Sequence, residues 1–178
     1  MMADGTEECE ALVVLDLLRR AGIEAVTVST TSDKNIISAH NILIGCDKMF
    51  SEIEVKEGDK IFIPGGAVGV DNLLEFVPLK ELLIEQNKKN EKLYAICAAP
   101  SIFAEYGLFN DGEKATCYRT YSSRMKDVEY VDEPVVKASN IVTSQSLGTA
   151  FDLAFYMIEE EKGKEVVEEI KYQIMYRG

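Results

Sequence analysis

The ten residues KLYAICAAPS, Lys92 to Ser101, contain the feature that decides the fold. Leu93 to Ile96 form a short apolar run after a charged segment, which predicts a buried parallel strand. Small residues and Pro100 follow, and the sequence then predicts a helix that ends at Gly107. Cys97 is therefore expected on a turn between a strand and a helix, at the carboxyl edge of a sheet.

A thiol on such a turn can be interpreted in two ways. The free amides and the dipole at a helix N-terminus favour a thiolate, as in a nucleophile elbow. Alternatively, Cys97 is a small buried hydrophobe without chemistry, as unpaired cysteines commonly are. These residues alone leave both interpretations open.

The rest of the chain alternates strand and helix patterns. Strands are predicted at Ile23 to Ser29, Lys60 to Ile63 and Lys114 to Cys117, with short strand pairs at 36–44 and 135–142. Helices are predicted after the acidic turn Asp4 to Glu10, and at about 78–87, 150–161 and 164–176. This alternation implies one domain, residues 1–178, with a mostly parallel sheet covered on both faces and a ligand site at the carboxyl ends of its strands.

The first strand of this pattern is almost missing, because only Met1 to Ala3 precede the acidic turn. An empty slot in a central sheet would leave backbone groups of both neighbouring strands unpaired, at about 1–3 kcal/mol each. Either the native chain begins earlier, or these residues form a stub.

Composition excludes several classes of function. A net charge of −12 argues against binding to nucleic acid or anionic membranes. No targeting leader or membrane-spanning apolar run is evident. The four cysteines form no C-x-x-C pair, so we expect neither disulfides nor a cysteine-based metal site, and we expect a reducing, cytoplasmic location. No phosphate-binding glycine loop is present, so no cofactor is expected.

Three features should meet at one edge of the sheet: the acidic turn, the pair Gly65-Gly66 and Cys97. The glycine pair is either a simple turn or a place where the backbone approaches a ligand. With these features, the sequence resembles the DJ-1/ThiJ/PfpI superfamily, most closely its DJ-1 branch. The matching segments are GTEECEA (5–11), RAGI (20–23), IPGG (63–66), AICAAP (95–100), VTSQ (142–145) and GT (148–149).

The resemblance implies a fold and a site. The fold is an α/β, flavodoxin-like three-layer α/β/α sandwich with a mostly parallel sheet, similar to class I glutamine amidotransferases, and the chain is expected to be a homodimer. Cys97 resembles the reactive, oxidisable cysteine, Glu10 the carboxyl group that hydrogen-bonds it, and the amides of Gly65, Gly66 and Ala98 the oxyanion site. A protonated Glu10 that donates to the sulfur would lower the pKa of Cys97. By itself, Glu10 is better explained as a carboxylate that favours a helix N-terminus, whereas beside the other matching segments the role as partner of Cys97 is preferred.

The sequence also departs from its relatives. Ala98 replaces the histidine that follows the cysteine in the hydrolase-like branch, and the only histidine, His40, is expected at the surface or the dimer interface. A Cys-His protease or amidotransferase triad of the PfpI type is therefore disfavoured. Tyr118 takes a position near the thiol where some relatives have histidine. Cys117 is a candidate resolving thiol, and Thr143 is a further candidate site residue.

Two functions remain. In the first, Cys97 attacks small carbonyl substrates in glyoxalase or deglycase chemistry on α-oxoaldehydes, or becomes oxidised to a sulfinate in an oxidative-stress response. In the second, the protein is a non-enzymatic, redox-regulated stress chaperone or interaction protein. The sequence names no physiological substrate.

Overall fold

A computed structural model describes residues 1–177 of the chain. The helices are α1 (Glu8–Arg20), α2 (Ala67–Glu75), α3 (Val77–Lys88), α4 (Pro100–Glu105), α5 (Ala150–Lys162) and α6 (Lys164–Gln173). The strands are β1 (Val28–Ser29), β2 (Asn35–Ile37), β3 (Leu43–Gly45), β4 (Lys48–Met49), β5 (Ile61–Ile63), β6 (Leu93–Ile96), β7 (Lys114–Ala115), β8 (Glu129–Tyr130), β9 (Val135–Ala138) and β10 (Ile141–Ser144). Short 3₁₀ turns lie at Phe50–Glu52, Arg119–Arg124 and Leu147–Thr149.

The central sheet has the parallel core that the sequence predicts. Strands β5, β6 and β10 run parallel, with β6 in the middle, and β9 closes the far edge antiparallel to β10. Strand β1 pairs with β4 in parallel. The carboxyl ends of β5 and β6 therefore lie side by side, and Gly65 and Cys97 follow these two strands directly.

Residues Met1 to Ala3 lie between β1 and β5. Met2 forms a parallel bridge with Ser29, its amide donates to Val28 O at 2.8 Å, and the Met1 ammonium donates to Phe62 O at 2.8 Å. Burial lowers the pKa of that ammonium to about 6. A stub of three residues thus supplies backbone partners to the strands on both of its sides.

Side chains alternate between the two faces of the sheet, as a strand period of two requires. On β6, Leu93 and Ala95 pack into a core beneath α2, α3 and α4, whereas Tyr94 and Ile96 pack into a second core beneath α1, α5 and α6. Two apolar layers on opposite faces make this a three-layer α/β/α sandwich. No helix within residues 1–177 combines the length and the apolar character needed to cross a membrane.

Several predicted elements differ from those observed. The strand expected at Ile23 to Ser29 is confined to β1, since Ala25 O accepts hydrogen bonds from the Arg19 guanidinium instead of a neighbouring strand. Likewise, the strand expected at Lys114 to Cys117 ends at Ala115. Helix α2, which begins directly after Gly66, was not predicted, although Val70 and Leu73 form its buried side. The hairpin of β2 and β3 is confirmed.

Candidate active site

Cys97 lies on a strained turn between β6 and α4. Its φ of 65° is in the left-handed region, where residues other than glycine are rare and strain costs about 1–3 kcal/mol. The turn is fixed by its backbone, because Cys97 N donates to Ser144 O at 3.0 Å and Tyr118 N donates to Cys97 O at 2.7 Å. Cys97 is partly exposed on this turn, whereas Cys46 and Cys117 are buried.

Glu10 is buried beside this thiol, on the first turn of α1. Its side chain is hydrogen-bonded to Cys97, and its Oε2 accepts from Gly65 N at 3.0 Å. The amide of Leu147 also lowers the pKa of this carboxyl group. Because Glu10 is 1% exposed, its carboxyl group interacts with protein groups and not with bulk solvent, and the Cys97 thiol is one of these groups.

Two backbone amides favour negative charge on the sulfur. The amides of Gly66 and Ala98 both lower the pKa of Cys97, one from the start of α2 and the other from the turn itself. Gly66 has a φ of 99°, and a Cβ there would lie 2.2 Å from Gly5 O and 2.6 Å from Glu7 N. Only glycine permits this approach of the acidic turn to the sheet edge, so the glycine pair is needed for packing against residues 5–7.

The third expected amide has a different partner. Gly65 N donates to Glu10 and not to the sulfur, so the prediction that Gly65 belongs with the oxyanion amides is corrected. Its lack of a side chain matters instead. A Cβ on Gly65 would lie 2.5 Å from Cys97 Cβ and 2.5 Å from Glu10 Oε2, between the two functional groups.

Burial controls the protonation of the Glu10–Cys97 pair. Burial raises the pKa of Glu10 to about 7, against its hydrogen bond with Cys97. Burial also raises the pKa of Cys97 to about 12, helped by the negative charge of Glu10 and opposed by the amides of Gly66 and Ala98. The expectation of a lowered thiol pKa is therefore wrong. With Glu10 ionised, the resting pair is a thiol whose S–H donates to a carboxylate.

The remaining candidate residues, Tyr118, Thr143 and Cys117, make contacts that support the fold. Tyr118 supports the Cys97 turn through its amide, while its ring is 45% exposed. Thr143 Oγ1 accepts from Thr116 N at 2.9 Å in the buried layer. Cys117 is fully buried among apolar side chains, and burial raises its pKa to about 12. A resolving thiol needs access that Cys117 lacks in this conformation.

His40 does not form a triad with Cys97. Its Nδ1 lies 2.7 Å from Glu8 Oε1, and its side chain is 70% exposed, as the surface interpretation predicted. Sequence reasoning missed the Leu147 amide, since a backbone donor is available from almost any residue type and leaves no signature in the sequence.

Comparison with known proteins bears on the family and the fold of the chain. The DJ-1/PfpI family matches residues 1–160. Protein dj-1beta of Drosophila melanogaster is 31% identical over 172 residues, which cover 96% of this chain and 91% of that protein. The crystal structure of Drosophila melanogaster DJ-1beta matches with a TM-score of 0.92, covering 99% of this chain and 95% of that one. The fold is therefore flavodoxin-like.

Two further relatives define the scope of the match. The Glutathione-independent glyoxalase DJR-1.2 of Caenorhabditis elegans is 32% identical over 164 residues, covering 91% of this chain and 86% of that protein. The chain spans only 37% of Protein DJ-1 homolog B of Arabidopsis thaliana, to which it is 30% identical over 165 residues. From the family match and these identities, the chain belongs to the DJ-1/PfpI family.

Proposed function

We propose that the protein converts small α-oxoaldehydes to 2-hydroxy acids, with Cys97 as the nucleophile and Glu10 as the group that moves protons. One observation carries the proposal: the partly exposed Cys97 is hydrogen-bonded to a buried carboxyl group, and two backbone amides favour negative charge on its sulfur. This arrangement contains a nucleophile, a base and donors for a developing negative charge. The Caenorhabditis elegans relative, which is named as a glutathione-independent glyoxalase, supports the same chemistry.

The first step is addition of Cys97 Sγ to the aldehyde carbon. A C–S bond forms, the C=O π bond breaks, and the S–H proton passes to Glu10 and then to the new alkoxide. The amides of Gly66 and Ala98 lie beside the reacting sulfur and stabilise the oxyanion. The high pKa of Cys97 makes a hydrogen-bonded base necessary, since little free thiolate exists near neutral pH.

The second step moves a proton from the former aldehyde carbon to the neighbouring carbonyl carbon, while the hydroxyl proton on the first carbon passes to the oxygen of the second. Glu10 accepts the carbon-bound proton and returns it, so the first carbon is oxidised and the second is reduced within one molecule. The product is a thioester of Cys97, which water hydrolyses to the 2-hydroxy acid with restoration of the thiol. No external oxidant, reductant or cofactor enters the balance.

Turnover of methylglyoxal without glutathione tests the proposal, with lactate measured as the product. Cys97→Ser should abolish turnover, and Glu10→Gln should lower it by about 10²–10⁴-fold, the usual contribution of a general base. Cys9→Ser is the matched control, because Cys9 is exposed and lies outside the Glu10–Cys97 pair. Retained turnover in Cys97→Ser would contradict the assignment.

The alternative of a redox-regulated chaperone or interaction protein predicts a different result. The wild type would then suppress aggregation of a client protein without turning over methylglyoxal, and Cys97 oxidation would alter that suppression. A PfpI-type protease has less support, since the only histidine pairs with Glu8.

We also propose that the chain forms a homodimer in the cytoplasm. Ile37 and Leu43 are paired across the β2–β3 hairpin and are 45% and 65% exposed, while Ile42 and Leu12 are 50% and 40% exposed. Burying such apolar side chains against a second copy would be favourable. All four cysteines are free, which supports a reducing compartment.

A further inference from the structure

Ser144 and Thr149 form a pair of hydroxyl groups next to the Cys97 turn. Ser144 is the last residue of β10 and is fully buried, and its carbonyl oxygen accepts from Cys97 N at 3.0 Å. Its hydroxyl oxygen lies 2.7 Å from Thr149 Oγ1, at the far end of the loop that follows β10. The residue that fixes the strained backbone of Cys97 is therefore itself held by the side chain of Thr149.

The protons of these two hydroxyl groups can be assigned from their partners. Thr149 Oγ1 accepts from Gln145 N at 3.2 Å and from Ser146 N at 3.1 Å, so both of its lone pairs are used. Its proton then goes to Ser144 Oγ at 2.7 Å or to Ser146 O at 2.9 Å. Ser144 Oγ donates its own proton to Pro134 O at 2.7 Å, and its oxygen accepts from Thr149. The shortest contacts give one directed chain, from two loop amides through Thr149 and Ser144 to Pro134 O.

The same hydroxyl group of Thr149 fixes the loop that carries the Leu147 amide. The first two amides after β10, those of Gln145 and Ser146, are bound by Thr149. The next amide, that of Leu147, stabilises the ionised form of Glu10 and lowers its pKa. Leu147 begins the 3₁₀ turn that ends at Thr149, and Thr149 N donates to Ser146 O at 2.9 Å. The position of the Leu147 amide therefore depends on the conformation that Thr149 imposes.

We propose that Thr149 is a positioning residue for the Glu10–Cys97 pair. Its hydroxyl group holds Ser144, whose carbonyl oxygen fixes the Cys97 turn, and it holds the loop that carries the Leu147 amide. Thr149 acts through these groups and takes no part in bond making. Its effect on methylglyoxal turnover rests on the proposed function, whereas its effect on proton exchange between Cys97 and Glu10 does not.

Loss of this hydroxyl group should change the protonation of Glu10. The two bound amides would lose their acceptor, and the loop would no longer hold the Leu147 amide in place. Because that amide favours the ionised carboxylate, its withdrawal should raise the pKa of Glu10 above its value of about 7. Cys97 passes its proton to ionised Glu10, so its reactivity decreases where Glu10 is protonated. The acid limb of the pH profile of Cys97 should therefore move to higher pH.

The pH dependence of Cys97 alkylation by iodoacetamide tests the proposal, followed by mass spectrometry of the peptide that contains Cys97. In Thr149→Val, a methyl group of similar size replaces the hydroxyl group. The midpoint of the acid limb should increase by about 1 pH unit, as expected for the loss of one hydrogen bond to a charged group. The rate near neutral pH should then decrease about fivefold. Thr149→Ser is the matched control, because it keeps the hydroxyl group and should retain the wild-type profile.

Two further measurements separate positioning from a role in stability alone. Thr149→Ala removes the hydroxyl group without placing a methyl group against the two amides, and its midpoint should increase as in Thr149→Val. Glu10→Gln should lack the acid limb, which identifies Glu10 as the titrating group. A lower Tm with an unchanged midpoint in either hydroxyl-free variant would overturn the proposal, and so would an acid limb that persists in Glu10→Gln.

Amide hydrogen exchange of the wild type gives a test that requires no variant to fold. The amides of Gln145 and Ser146 should be protected, and exchange at the rate of an unfolded chain would overturn the proposal because Thr149 would then not hold the loop. Methylglyoxal turnover is measured in parallel. An inactive wild type would contradict the proposed function alone, since the alkylation profile would still decide the role of Thr149.

Discussion

The close approach of Gly65 to Cys97 and Glu10 leads to a sharp prediction for the substitution Gly65→Ala. The φ of Gly65 lies outside the left-handed region, so alanine is permitted by the backbone. The new methyl group would lie 2.5 Å from Cys97 Cβ, 2.5 Å from Glu10 Oε2 and 3.0 Å from Cys97 Sγ. Since unstrained contacts of this kind are about 3.5–4.0 Å, the two side chains have to separate by roughly 1 Å.

The magnitude of the effect follows from this overlap. Overpacking a dense core by one methyl group usually costs about 1–3 kcal/mol. For a chain of this size, each kcal/mol lowers the Tm by about 2–4 °C, so a decrease of about 2–12 °C is expected. A displacement of about 1 Å between reacting groups can lower a rate by about 10²-fold, and we expect that loss in kcat/KM for methylglyoxal.

Thermal unfolding and methylglyoxal turnover are measured for Gly65→Ala beside the matched variant Gly45→Ala. Gly45 also has an ordinary φ, and a Cβ there meets only Asn35 Oδ1 at 3.5 Å, a normal contact. The control should behave as the wild type does. Wild-type stability together with wild-type turnover in Gly65→Ala would refute the reasoning, because the added methyl group would then not separate the Glu10 carboxyl group from the Cys97 thiol.

Three further predictions concern the thiol and the surface. Glu10→Gln should lower the pKa of Cys97 from about 12, because the charge of Glu10 is its second largest cause after burial; in a thiolate-absorbance titration, an unchanged or higher midpoint would contradict this. A mild peroxide pulse followed by mass spectrometry should modify Cys97 before Cys9, since Glu10 can accept the proton of the Cys97 thiol and the amides of Gly66 and Ala98 favour charge on its sulfur, whereas burial and the neighbouring carboxylates raise the pKa of Cys9; modification of Cys9 alone would reverse the assignment. Sedimentation at micromolar concentration should show a dimer that Leu43→Glu dissociates and Val77→Glu, at a similarly exposed residue outside the hairpin, does not; a wild-type species of 19.8 kDa would exclude the dimer.

Much of the fold was predictable because it depends on local patterns. The apolar run Leu93 to Ile96, followed by small residues and Pro100, predicted β6, the turn and α4 in their observed order. The hairpin of β2 and β3 was equally visible in the sequence. Helix α2 was missed because Gly69 weakens the helical pattern and Val68 places an apolar side chain on the exposed face. The contact of this helix with the acidic turn decides its place, and that contact is not local.

The candidate site was likewise predictable only in part. Residue types and their order were enough to select Cys97 and Glu10, since a thiol on a strand–helix turn and an acidic turn are readable in a sequence. Tertiary structure alone decided that Gly65 N donates to the Glu10 carboxyl group, whereas the Gly66 amide favours negative charge on the Cys97 sulfur. It also decided that burial outweighs these amides and raises the thiol pKa. Backbone amides carry no signature of residue type, and desolvation depends on every atom packed around a group, so both become visible only once the chain has folded.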